Sequence, residues 1–209
     1  PFLPPTLLKT IGGVKVGFIG LTSDIVAQMS DMLAIGLTFV QGEDNYRQLI
    51  NQHAGDLRAQ GAVVVVVMSE LGIHKDKRLA QIIQPGLVDV FFSAHTHEAV
   101  FTPLTSSSGA LVVEAGNDGY LGRMDITVQQ GKTTGFVWKL LPVDSGIVGD
   151  PAVQALVDTA RAPFLVAQPN LTVPMPYTSQ ALLQPINTVV GHSDGPLDRR
   201  HALENSFND

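Results

Sequence analysis

Residues Ala62 to His97 read AVVVVVMSELGIHKDKRLAQIIQPGLVDVFFSAHTH, and this stretch decides the fold. Val63 to Met68 is an apolar, mostly β-branched run bounded by Gly61 and by Ser69-Glu70, the pattern of a strand covered on both faces. Lys75 to Gln84 places Leu79, Ala80, Ile82 and Ile83 on one side of a helix that Pro85-Gly86 ends. Val88 to Phe92 is a second buried strand. Strand, helix and strand with no hairpin turn between them predict a parallel βαβ unit, so both strands end at the same edge of the sheet. That edge receives Ser69-Glu70 from the first strand and His95-Thr96-His97 from the second. In open α/β sheets the carboxyl edge is where ligands bind.

Upstream, Leu7 to Thr10 and Val14 to Leu21 flank Gly12-Gly13 and predict a hairpin feeding a buried strand. Thr22 to Gly42 has no clean period and reads as a loop with a short helical piece. Asp44 is the expected cap of a helix running to Gln60, with Tyr46, Leu49, Ile50, His53 and Leu57 at helical spacing. Downstream, Ala99–Leu104, Ala110–Ala115, Gly122–Val128 and Thr134–Leu141 read as short strands of an antiparallel meander. Asp150-Pro151 predicts a capped helix start, with Val153, Leu156, Val157 and Ala160 as its apolar stripe. Pro163 to Pro185 is proline-rich and reads as an extended linker, and Ile186 to Val190 as the first strand of a new unit.

The 209 residues are 44% hydrophobic and 15% charged, ordinary values for a chain with a sizeable core. The net charge is −6, and the longest basic cluster is Arg199-Arg200, which argues against a nucleic-acid polymer or an anionic membrane as partner. There is no cysteine, which excludes a disulfide framework and a thiolate metal site. No apolar run approaches the ~20 residues of a membrane span. The chain begins without Met and stops with no closing element, so the expectation is a fragment of a longer protein.

Two imidazoles in one loop after a buried strand suit zinc, manganese or iron, and Glu70 at the same edge adds a carboxylate. The plain alternatives are two solvated loop histidines and an exposed strand end. His74 reads as a supporting group or a helix cap, His53 as an exposed helical residue, and His192 and His201 as surface residues. Asn117-Asp118-Gly119 reads as a turn after a strand that ends near the same site.

These residues carry a family resemblance. The segments GGVKVGFIG (12–20), VVVVVMSELGIHKDKRLA (63–80), VDVFFSAHTH (88–97), Val113-Glu114-Ala115-Gly116 and Gly119-Tyr120-Leu121-Gly122-Arg123 resemble, in order, the 5'-nucleotidase family of calcineurin-like metallophosphoesterases. Residues 185–191, 196–200 and 204–206 resemble the entry into that family's C-terminal nucleotide-binding domain.

The resemblance implies an α/β fold, a four-layer αββα sandwich incomplete at its N-terminal strands, followed by a helix, a proline-rich linker and the start of a second domain. The implied boundaries are 1–143, 144–184 and 185–209. It implies two divalent metal ions, zinc or manganese first and calcium or magnesium as alternatives, that activate a water against a phosphate ester. Glu70, His95 and His97 fall on metal-ligand positions, Glu70 standing where the family has histidine. Asn117, Asp118 and Arg200 fall on the substrate side. Ser93-Ala94 replaces paired glycines and is expected to tighten the histidine loop. The family's Asp-x-His and Gly-Asn-His segments have no counterpart here, so the catalytic groups are expected upstream and metal binding by this chain to be weak. The implied partner is a nucleotide or other small phosphate ester, and the implied location is periplasmic or secreted. The competing class is a non-catalytic metallophosphoesterase-like binding module with a degenerate site. A sheet built from Val63–Met68 and Val88–Phe92 without its first strands is also expected to expose an apolar edge. The missing N-terminal part, a second copy or a swapped segment would cover it.

Overall fold

The computed structural model describes residues 3–25, 35–116, 119–175 and 178–195, with no side chains described for 168–182. Asn117, Asp118 and Arg200 lie outside the described residues, as do His201 and most of the tail that resembles a second domain. The chain divides into two compact units, Pro1–Ile147 and Val148–Asp209.

The first unit is built on a six-stranded sheet. Strand β1 (Thr6–Ile11) turns through Gly12-Gly13 into β2 (Val14–Leu21), and the two pair antiparallel as the sequence predicts. Helix α1 (Glu43–Ala59) leads to β3 (Val64–Ser69), and helix α2 (Ile73–Ile82) to β4 (Val90–Ser93). Strand β5 (Leu104–Thr105) and β6 (Leu111–Glu114) complete the sheet in the order β1-β2-β3-β4-β6-β5, with β2, β3, β4 and β6 mutually parallel. Strands β7 (Tyr120–Gln129) and β8 (Lys132–Pro142) form a separate antiparallel pair.

The valines of β3 divide between the two faces of the sheet, as a period of two requires. Val65 and Val67 join Ile19, Phe91 and Val112 beneath Ile50, Ala54 and Leu57 of α1 and Leu79 and Ala80 of α2. Val64 and Val66 join Val90 and Val113 against Trp138, Met124, Ile126 and Leu140 of β7 and β8. The layers therefore run helix, sheet, sheet. A second helical layer is not found among the described residues of this unit.

Five expectations are corrected. The segment 110–115 pairs antiparallel with the stretch before it, as expected, but it does not continue a meander: β5 is only two residues long and lies outermost, and the other neighbour of β6 is β4, in parallel. The two valine-rich strands are interior, so the open edges of the sheet lie at β1 and β5. Asp44 does not cap α1; Gly42 holds the cap position at φ 85° and the Asp44 carboxylate accepts from Arg47 Nε at 3.2 Å. In the second unit the proline-rich segment is a hairpin of β9 (Gln168–Met175) and β10 (Thr178–Leu182), not an extended linker. A two-stranded sheet bonds each strand on one side only, so prolines are tolerated where no donor is needed. Residues 186–187 form a turn, with Thr188 N donating to Pro185 O at 3.0 Å, and 188–190 are irregular rather than a strand. Helix α3 (Pro151–Arg161) is capped as expected, Asp150 Oδ1 accepting from Ala152 N and Val153 N at 2.8 and 3.1 Å. No helix among the described residues is long and apolar enough to cross a membrane.

The N-terminal ends of the parallel strands are closed by one arginine. Arg58, at the end of α1, donates to the carbonyls of Val63 at 2.6 Å, Leu87 at 3.1 Å and Ala62 at 3.2 Å. It also pairs with Asp89 Oδ2 at 2.7 Å, and that oxygen accepts from Val65 N at 2.7 Å. The planar guanidinium suits such a fan of acceptors. Replacing Arg58 by Ala leaves carbonyls and a part-buried carboxylate short of donors, with an expected cost of about 2–4 kcal/mol. Urea denaturation followed by circular dichroism measures it, and Arg58→Lys, which supplies a point donor rather than a fork, is expected to recover less than half.

Candidate functional site

The parallel register brings one residue from each of four strands into a single row at the carboxyl edge: Leu21, Ser69, Ser93 and Glu114. Three of the four are polar and buried, at the ends of strands whose interiors are almost wholly apolar. Asp76 reaches this row from α2 and is 0% exposed. Its Oδ1 accepts from Ser69 Oγ at 2.7 Å and its Oδ2 from Ser93 Oγ at 2.6 Å. Burial pushes the Asp76 carboxyl from 3.8 up to about 6; the negative charges of Glu114 and Glu70 push the same way, and the two serine hydrogen bonds oppose them.

Beyond the row lies the loop bearing the histidines. His95 and His97 both adopt left-handed backbone, at φ 80° and 55°, a region that costs a non-glycine residue about 1–2 kcal/mol. Thr96 between them anchors the loop: its hydroxyl donates to Glu114 Oε2 at 2.6 Å and accepts from Ile73 N, the first residue of α2, at 3.1 Å. Glu114 is 3% exposed, and its Oε1 has no hydrogen-bond partner among the described residues. Gly72 sits against this loop at φ 92°, where a Cβ would come within 3.0 Å of Thr96 Cγ2.

Glu70 and His95 converge as the parallel unit predicts, with His95 Nδ1 3.4 Å from Glu70 Oε1 and both side chains partly exposed. Glu70 lines a cavity of about 480 Å³ between the sheet edge and the β7–β8 pair, shared with Ser69, Ser93, Glu114 and Trp138. His95 lines a second cleft of about 300 Å³ with His74, Lys75 and Arg78. The cations of this second cleft are already paired, Lys75 with Asp24 at 2.6 Å and Arg78 with Glu43. The Glu70–His95 pair therefore stands between the two clefts. His97 is exposed in the same loop. Among the described residues no group of three or more His, Asp or Glu side chains gathers closely enough to hold a metal ion, so His97 is not brought together with the pair. A carboxylate and an imidazole side by side fit part of the donor set of a divalent cation.

Asp76, Thr96 and the Ser69–Ser93 pair were not among the candidate site residues read from the sequence. Asp76 had a signal: it lies three and four residues before Leu79 and Ala80 on the buried stripe of α2, where a carboxylate must find partners, whereas Ile82, assigned to that stripe, is exposed. Ser93, one of the residues replacing the paired glycines, has its hydroxyl committed to Asp76.

The first unit has the α/β fold of the metallophosphoesterases. Among solved structures, the sulfate thiohydrolase SoxB of Thermus thermophilus matches with a TM-score of 0.68 at 22% identity, over 80% of this chain and 31% of that one. A 5'-nucleotidase precursor, also from Thermus thermophilus, matches with a TM-score of 0.58 at 21% identity, over 78% of this chain and 36% of that one. The chain thus spans about a third of the length of either structure. No protein-family model matches the sequence, and no curated protein matches it.

The buried carboxylate gives a pH prediction. Between about pH 4 and 6 the folded protein keeps an Asp76 proton that the unfolded chain has lost, so this group favours folding at low pH and ceases to do so as the pH rises through 6. The isosteric, uncharged Asp76→Asn lacks that dependence. Its stability relative to the parent chain is expected to rise by about 2–3 kcal/mol between pH 4 and 7, measured by urea denaturation at both values.

Proposed function

We propose that this chain is part of a metal-dependent phosphoesterase of the 5'-nucleotidase type, acting on a nucleotide or another small phosphate ester. One observation carries the reading: Glu70 and His95 meet at 3.4 Å on the carboxyl edge of a parallel sheet, the edge that bears ligands in this class of fold. In the proposal Glu70, His95 and His97 hold divalent cations, zinc or manganese before calcium or magnesium. Bound, those cations supply charge neutralisation at the phosphate. The chain's own contribution is to place the donors, through the Thr96 and Asp76 hydrogen bonds, at the mouth of the cavity that Glu114 lines.

Asn117, Asp118 and Arg200 are assigned to substrate contacts, and the remaining ligands and catalytic groups to sequence outside this chain. Residues 1–143 are assigned to the metallophosphoesterase domain, 144–184 to a connecting segment and 185–209 to the start of a nucleotide-binding domain. The proposed location is periplasmic or secreted, and the similar 5'-nucleotidase is a precursor. Cover for the open sheet edges by an N-terminal part of the protein or by a second copy belongs to the same proposal.

Calorimetric titration of the 209-residue chain with Mn²⁺ and Zn²⁺ tests the donor set. Weak binding that disappears in Glu70→Ala and in His95→Ala is expected; two tight sites, or binding indifferent to both substitutions, overturns the assignment. In the full-length protein, AMP hydrolysis is expected to need added divalent metal and to fall by about 10²-fold or more in His95→Ala. Metal-independent hydrolysis, or no action on AMP, overturns the nucleotidase reading.

A further inference from the structure

Helix α2 turns one charged side chain into the core, and every polar contact of that side chain goes to a strand end beside Glu70 or His95. Ser69 and Ser93 stand opposite each other in the register of β3 and β4, and their hydroxyls take the two oxygens of Asp76 separately. Glu70 follows Ser69 directly, and Ser69 Oγ also accepts from Leu71 N at 3.2 Å, so the turn bearing Glu70 closes on the same serine. His95 lies two residues beyond Ser93.

We propose that Asp76 is a positioning residue for the Glu70–His95 pair, its carboxylate fixing through the two serine hydroxyls how far apart and at what angle the two strand ends present those side chains. A leucine at this position would fill the same space between helix and sheet. Apolar contact is non-directional, whereas two hydrogen bonds to one planar carboxylate define both distance and orientation. A buried carboxylate costs desolvation that a leucine does not. What it adds is geometry, delivered to the two backbones that carry the candidate donors. The consequence for catalysis rests on the reading of Glu70 and His95 as cation ligands; the positioning itself does not.

The chain contains no cysteine, so Glu70→Cys/His95→Cys carries only two thiols and can be bridged by a short bis(methanethiosulfonate) linker. The readout is the ratio of bridged to doubly single-labelled protein, which follows the effective concentration of one thiol at the other. Adding Asp76→Ala is expected to lower that ratio by about fivefold or more, with the far-ultraviolet circular dichroism unchanged, whereas Asp76→Asn, which keeps a polar partner for each serine, stays within about twofold. Should Asp76→Ala not fold, Ser69→Ala and Ser93→Ala each remove one arm, and a lowered ratio in either supports the proposal. An unchanged ratio in a folded Asp76→Ala, in folded Asp76→Leu, or in both serine variants overturns it. Mn²⁺ affinity separates the two readings. With Glu70 and His95 intact, Asp76→Ala is expected to weaken Mn²⁺ binding by about tenfold. A lowered bridging ratio in a parent chain that binds no Mn²⁺ upholds the positioning role and overturns the metal assignment alone.

Discussion

Parallel pairing forces β2, β3, β4 and β6 to finish together, and everything chemical in this chain depends on that constraint. Over most of their length β3, β4 and β6 are covered on both faces, by α1 and α2 on one side and by β7 and β8 on the other, and the second cover gives out at Met68, which is 55% exposed. Polar side chains can enter only where that double cover stops. At the carboxyl edge they do so in one register row, Ser69, Ser93 and Glu114, and the helix that follows β3 brings Asp76 back to the same place. The polar groups therefore assemble because of strand direction; no local motif contains them.

The two ends of the sheet use charge differently. At the amino end, Asp89 takes Val65 N and Arg58 on one oxygen, and the guanidinium spends its donors on carbonyls at the starts of β3 and β4. That network is filled by the protein's own groups and holds the fold together. At the carboxyl end, Glu114 uses one oxygen for Thr96 while the other has no partner among the described residues, and Glu70 meets an imidazole at 3.4 Å. Buried polar groups are nearly always satisfied, so the spare oxygen of buried Glu114, close to the partly exposed Glu70, marks a carboxylate site equipped to receive something.

How much of this was legible in the sequence follows from which interactions are local. The βαβ unit, its common edge and the meeting of Glu70 with His95 were readable, because a buried valine run, a helix stop and a second apolar run leave one economical arrangement. Strand β6 was misjudged because nothing in Ala110–Ala115 says which neighbour it will choose; only the shortness of β5 opens the place beside β4. The hairpin of β9 and β10 was hidden by prolines that bar a central strand but not a two-stranded pair. Asp76 was passed over because its partners are seven and seventeen residues away along the chain and reach it only through tertiary packing. Its place on the apolar stripe of α2 was the one local sign.

The histidine loop shows the same economy under strain. Left-handed backbone at His95 and His97 favours glycine, and although histidine is among the side chains that adopt it more readily, it still carries a conformational cost. The residue between them bears the compensation. Thr96 gives its hydroxyl proton to Glu114 and takes the N–H of Ile73, so one side chain fastens the loop to β6 and to the start of α2 at once. That N–H belongs to the first turn of a helix whose cap residue, Gly72, has no side chain to satisfy it. The bond therefore meets a need of the helix and of the loop together, and the close approach of Thr96 Cγ2 to Gly72 leaves little room for a side chain at the cap. Glycine at the cap, threonine in the loop and glutamate at the strand end are thus one interlocking choice, and what it holds in place is a pair of imidazoles on left-handed backbone.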